Sequence, residues 1–80
     1  MTWWYFIQPV PINRLLDYVG GQSPIYIGEA VPGANAAQAS WRIQKLTYDG
    51  NGNVTAINWS SKYATFGDIW NNRASTVAYI

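Results

Sequence analysis

Two apolar-rich runs, Trp41–Tyr48 and Asn53–Ser60, are separated only by Asp49-Gly50-Asn51-Gly52. Asp-Gly and Asn-Gly between such runs are the strongest short-range hairpin signals, because the tight turn needs residues that accept positive φ. With Asn51-Gly52 as a two-residue turn, Leu46 falls opposite Ile57 and Gln44 opposite Trp59, while Thr47 and Ala56 pair on the other face. Apolar parity switches along each strand, from Trp41 and Ile43 to Leu46 and Tyr48, and from Val54 and Ala56 to Ile57 and Trp59. The switch predicts burial on both faces, or a bulge or strong bend near Lys45.

Around this hairpin the chain reads as mainly β: a small antiparallel sandwich or barrel-like sheet, one or two short helical turns, and an extended N-terminal arm. Pro24–Ala30 is rich in β-formers and predicts a strand. Val31–Ser40 is small and weakly patterned, and Pro32-Gly33 marks it as a loop. Asn13–Val19 predicts a short helix, with Asn13 as N-cap and Gly20-Gly21 as its stop. Lys62-Tyr63-Ala64 adds a short extended piece. Thr65-Phe66-Gly67-Asp68 has capping-box spacing and leads into a brief helical turn with Phe66, Ile69 and Trp70 on one face. Ala74–Ile80 finishes as a strand. The division expected is an aromatic arm and short helix over residues 1–23 and a small β domain over residues 24–80.

Nine charged residues among 80 give 11%, against about 25% in ordinary soluble domains. Beside them stand five Trp, six Tyr and two Phe. Aromatic side chains bury large area at low rotamer cost and dominate interface hot spots, so this composition suits assembly or binding. A core of this size is marginal, and small scaffolds add disulfides, a metal or oligomerisation. The chain has no Cys and no His, which removes disulfides and the usual ligands of zinc and haem sites. Oligomerisation, or docking on something larger, is the remaining support. Thr2–Gln8 is aromatic on consecutive positions, and adjacent bulky residues cannot both point into one small core. Trp3, Trp4, Tyr5, Phe6 and Ile7 are therefore the candidate interface, while Trp41, Trp59 and Trp70 are expected in the core.

Several classes of function are disfavoured. Arg14, Arg42, Lys45, Lys62 and Arg73 are scattered and the net charge is +1, so nucleic-acid binding through counterion release is weakly supported. Trp3–Ile7 is too short to span a bilayer and lacks the flanks of a signal peptide, so the mature chain is expected to begin near Met1. Asp49–Asn53 resembles the opening of a calcium loop, but Val54 stands where the glycine belongs and Ser60 where the bidentate Glu belongs. Asp17, Glu29, Asp49 and Asp68 are the only carboxylates. Asp49 suits a turn and Asp68 a cap, which leaves Asp17 and Glu29 without a paired catalytic role. Without His or Cys a nucleophilic triad lacks its usual base, and Ser60-Ser61-Lys62 on an extended chain point apart. The sequence thus implies no enzyme, cofactor or metal. Sugar stacking on Trp59 or Trp70, with Asn58, Asn71 and Asn72 as hydrogen-bonding groups, is the alternative binding role. Arg73 is placed to stack on an aromatic face or to pair with Asp68.

From Tyr26 to Tyr79 the chain resembles a group of small tailed-bacteriophage proteins. The carriers are Tyr26-Ile27-Gly28-Glu29-Ala30, Trp41-Arg42-Ile43-Gln44-Lys45-Leu46, Val54 with Ile57-Asn58-Trp59, and Phe66-Gly67-Asp68-Ile69-Trp70-Asn71-Asn72-Arg73-Ala74-Ser75. Members often have an Ala-Asp-Gly step after the second hairpin strand, where this chain has Ser60-Ser61-Lys62-Tyr63. The resemblance implies a virion structural component: a capsid decoration or cement protein, or a neck or tail component. Its expected partners are other virion proteins and copies of itself, its location is the virion after assembly in the bacterial cytoplasm, and the arm docks by strand addition. A carbohydrate-binding module of a host-recognition appendage is the second expectation.

Overall fold

A computed structural model describes residues 11–80. Trp3, Trp4, Tyr5, Phe6 and Ile7 lie outside the described residues. Five strands follow in order: β1 Asn13–Asp17, β2 Tyr26–Ala30, β3 Ala39–Tyr48, β4 Val54–Trp59 and β5 Asp68–Ile69, then a 3-10 turn over Trp70–Asn72. All pairings are antiparallel, in the order β1-β2-β3-β4, with β5 also on β3. The mainly β architecture and the central hairpin are as the sequence predicts.

The hairpin pairs Gln44 with Trp59, Leu46 with Ile57 and Thr47 with Ala56, the predicted register. The turn differs. Asp49 N–H donates to Asn53 O at 2.9 Å and Gly52 N–H to Asp49 O at 3.2 Å, with Gly52 at φ 83°. This is a three-residue loop closed by a glycine in the left-handed region. The register shifts between Thr47 and Tyr48, where Tyr48 faces Val54, and the skipped Thr55 donates its hydroxyl to Thr47 O at 3.2 Å. The irregularity thus sits beyond Lys45, and buried Trp41, Ile43 and Leu46 give β3 covered positions on both faces.

Four local expectations are corrected. Asn13–Asp17 is a strand, not a helix: so short a segment cannot offset the cost of helix nucleation, whereas all five residues find partners on β2. β1 and β2 therefore belong to one sheet, with Arg14 opposite Glu29. The capping box does not form: Ile69 is extended before the 3-10 turn and no side chain caps it. Asp68 instead pairs with Trp41 on β3. Ser61–Thr65 forms a turn rather than an extended piece, with Ala64 at φ 52° and the Ser61 hydroxyl accepting Thr65 N–H at 2.9 Å. Finally, Ala74–Ile80 makes no ladder. The Asn72 carbonyl accepts N–H bonds from Ser75, Thr76 and Val77, which curls the chain, and only Ile80 N–H reaches β4, at Trp59 O, 3.0 Å away.

The core lies on one face of the sheet, where Ala30, Trp41, Ile43 and Trp70 cluster with Val77 and Tyr79 against them. Gly28 makes room for Trp70, whose ring also meets Trp41 at 6.1 Å between centroids. Trp41 and Trp70 are core residues as expected, whereas Trp59 is only half-buried.

Candidate functional site

The sheet has one end where two connections meet. β1 and β3 run the same way, since each is antiparallel to β2, so the β1–β2 and β3–β4 turns lie together. Between them is an open cleft of about 400 Å³, lined chiefly by Tyr18, Val19, Gln22, Ile25, Tyr48 and Gly52. Among the described residues no charged side chain lines it, and its walls are mostly apolar.

Its geometry follows from Asp17. One carboxylate oxygen accepts Val19 N–H at 2.9 Å and the other accepts Arg73 Nε–H at 2.8 Å. The Val19 bond first, and then Arg73, hold the Asp17 carboxyl below the ordinary carboxylate range. Beyond this anchor Val19 and Gly20 take φ of 49° and 78°, and Gly21 N–H closes the turn on Tyr18 O at 2.9 Å. Two successive positive φ angles suit Asn, Asp and Gly; a β-branched residue there is strained. On the far wall Tyr48 donates its hydroxyl to Pro24 O at 2.7 Å, and Leu46 N–H donates to Ile25 O at 2.8 Å. The cleft is held by hydrogen bonds on both sides.

The expected pairing of Arg73 with Asp68 is replaced by this bond to Asp17. The stacking expectation holds: the Arg73 guanidinium lies 4.5 Å from the Trp70 ring centroid. Asp68 lies in β5, and Asp17 at the end of β1 is the carboxylate that Arg73 reaches.

Glu29, the other carboxylate without a role in the sequence, is buried on the opposite face of the sheet. Its two oxygens accept Nε–H bonds from Arg14 and Arg42, each at 2.7 Å. Burial, the largest single influence, raises its pKa, but the two arginines together outweigh burial and hold the carboxyl below its ordinary value of 4.5. Arg42 is itself flanked by Phe66 at 4.6 Å and Trp59 at 5.5 Å from the ring centroids. Asp49 is lowered by N–H bonds from Asn53 and Asn51 within the hairpin loop. These three groups have folded pKa values below the unfolded ones, so their contribution is complete above the unfolded values and is lost as pH falls through the folded values. The thermal midpoint should hold from pH 7 to about pH 5 and decline below the 3.8–4.5 range. A calorimetric pH series checks this, and Glu29→Gln should lower the neutral-pH midpoint and flatten the acid decline.

Among the described residues no group of three or more His, Cys, Asp or Glu converges, and no helix is long and apolar enough to cross a membrane. The Ser60 and Ser61 hydroxyls are both hydrogen-bonded to backbone, Ser60 accepting Ile43 N–H across the hairpin at 3.2 Å. The residues weighed for sugar stacking stand in mixed environments, with Asn71 exposed and Asn58, Trp59 and Asn72 half-buried. Trp70 is 6% exposed, Trp59 lies beside Arg42, and the Asn58 amide donates to Ile80 O at 2.8 Å. The cleft was not legible in the sequence; its only signal was the pair of apolar residues Tyr18-Val19 before Gly20-Gly21. Comparison with protein-family models, curated proteins and solved structures finds no match for this chain.

Proposed function

We propose that this chain is a virion structural protein of a tailed bacteriophage, a capsid decoration protein or a neck or tail component, and that it works through subunit contacts. One observation carries the reading. Among the described residues only Ala30, Trp41, Ile43, Leu46 and Trp70 are buried hydrophobics, while ten large hydrophobics, from Leu15 to Ile80, are exposed. With so few of its large hydrophobics buried, the fold has little core of its own, and we read the exposed ones as contact surface for other chains. The charge-poor composition and the resemblance to small phage proteins point the same way, and Trp3–Ile7 adds a further apolar run. The glycan-binding reading is less favoured, because Trp70 is buried in the core and half-buried Trp59 packs beside Arg42.

The test is assembly by the full chain. Replacing Trp3, Trp4 and Phe6 together by Ser should abolish self-association or incorporation into particles while leaving the far-ultraviolet spectrum of the β fold in place. Sedimentation velocity and copy number per purified particle are the measurements. Incorporation of the triple variant at the normal copy number removes the arm from the mechanism, and absence of the wild-type chain from particles removes the virion reading.

A further inference from the structure

Val19 is the least explicable residue of the fold if the monomer is the whole story. It is β-branched, it sits at φ 49°, and it is 64% exposed. Left-handed backbone at such a residue is strained and persists only where the surroundings impose it. Here Asp17 imposes it by gripping the Val19 N–H. Asn or Gly would suit the turn better and lose almost no burial. A strained apolar side chain that the monomer leaves in water is explained by contact with another chain. Tyr18 beside it is also exposed, and both line the uncharged cleft.

We infer that the cleft between the two turns receives the aromatic segment Trp3–Ile7 of a second copy; this rests on the assembly reading above. The cleft's volume of about 400 Å³ falls within the range of about 300–1,000 Å³ that accommodates small ligands, and it suits one or two ring side chains. Among the described residues its lining has no charged side chain, and none of the ten residues before Pro11 has one either. Direction favours a neighbour over the same chain. Residue 11 precedes β1, whereas the cleft lies past the far end of that strand, about 17 Å away for five residues. A segment preceding Pro11 must double back along β1 to enter its own cleft, and Pro9 and Pro11 both restrict the chain to extended conformations. A neighbouring cleft imposes no such reversal. The outer side of β1, unpaired among the described residues, offers backbone groups leading toward the cleft.

Val19→Asn separates contact from strain. Removing the strain should raise the monomer's thermal midpoint, while loss of the apolar contact should weaken self-association at least tenfold by sedimentation velocity. A residue with a purely structural role would not move the two in opposite directions. Because the chain has no cysteine, Trp3→Cys and Tyr18→Cys chains can be mixed under oxidising conditions, and a disulfide-linked heterodimer is expected. If Val19→Asn associates like wild type while the Trp3/Trp4/Phe6 variant does not, the receptor is elsewhere and the assembly reading stands. If both associate like wild type, the arm has no part in assembly and both readings of it fall. Closure within a single chain carrying both cysteines, with no heterodimer from the mixture, overturns the second-copy assignment.

Discussion

Gly28→Val should fail to fold, and Gly28→Ala should lose about 3 kcal/mol or more, the upper end of what overpacking a core does. Local propensity argues the other way. Val is a better strand residue than Gly, and even Ala relieves part of the conformational entropy that Gly loses on folding. Sterics decide the sign. A Cβ at Gly28 would overlap Trp70 Cε3 and would lie 2.7 Å from Trp70 Cζ3 and 3.2 Å from Trp41 Cε3. Neither indole can move aside cheaply. Trp70 is wedged between Trp41 and the Arg73 guanidinium, and Arg73 is tied to Asp17 and to the Trp70 carbonyl. Displacing the ring would therefore disturb the anchor of the β1–β2 turn as well. Thermal and urea unfolding measure the loss. A smaller ring should relieve it, so Gly28→Ala with Trp70→Phe is expected to be less destabilised than the sum of the two single variants. Simple additivity would mean that the overlap is absorbed by the backbone.

How much of this was legible in the sequence depends on the range over which each feature is decided. The hairpin register was legible, although by a cancellation. The loop is one residue longer than the two-residue turn expected, and the skipped Thr55 in β4 restores the pairing that a shorter turn would have set. Alternation fixed on which face each residue lies, and the loop and the bulge had to agree with it. Asn13–Asp17 was misread because its polar start and Gly-Gly end mimic helix caps, while the partner that makes it a strand lies beyond a separate loop. Gly28 gave no sign of its importance for a similar reason: the ring seated on it comes from the far side of the hairpin. Arg73 was recognised as a stacking and pairing group, but its carboxylate partner is 56 residues away in sequence rather than the nearby Asp68. Strain at Val19 is a property of φ, which no residue type discloses. What composition did disclose was the scarcity of charge, whereas the ten exposed large hydrophobics, seven of them aliphatic, were not marked by the count of rings.

Trp41→Ala is expected to lose about 3–5 kcal/mol, the range for truncating a buried aromatic. A domain of 80 residues has only about 4–12 kcal/mol in total, so the variant should give up at least about a quarter of its stability. Three separate losses combine. The indole is 2% exposed, so its whole area leaves the core; its contact with Trp70 goes; and its Nε1–H no longer donates to Asn35 O, a bond of 2.9 Å. That last bond pins the loop before β3, whose Ala36 carbonyl also accepts Asn71 N–H at 3.1 Å from the closing turn. Trp41→Phe isolates the packing share, because it keeps a ring but abandons Asn35, and its midpoint should fall by less than half as much. The milder variant also bears on assembly. Contacts made only by folded copies stabilise them by mass action, so its midpoint should climb with protein concentration. Adding Val19→Asn to Trp41→Phe should remove that concentration dependence while raising the midpoint at high dilution. A midpoint independent of concentration in Trp41→Phe itself would show that this small core is sustained by its own chain alone.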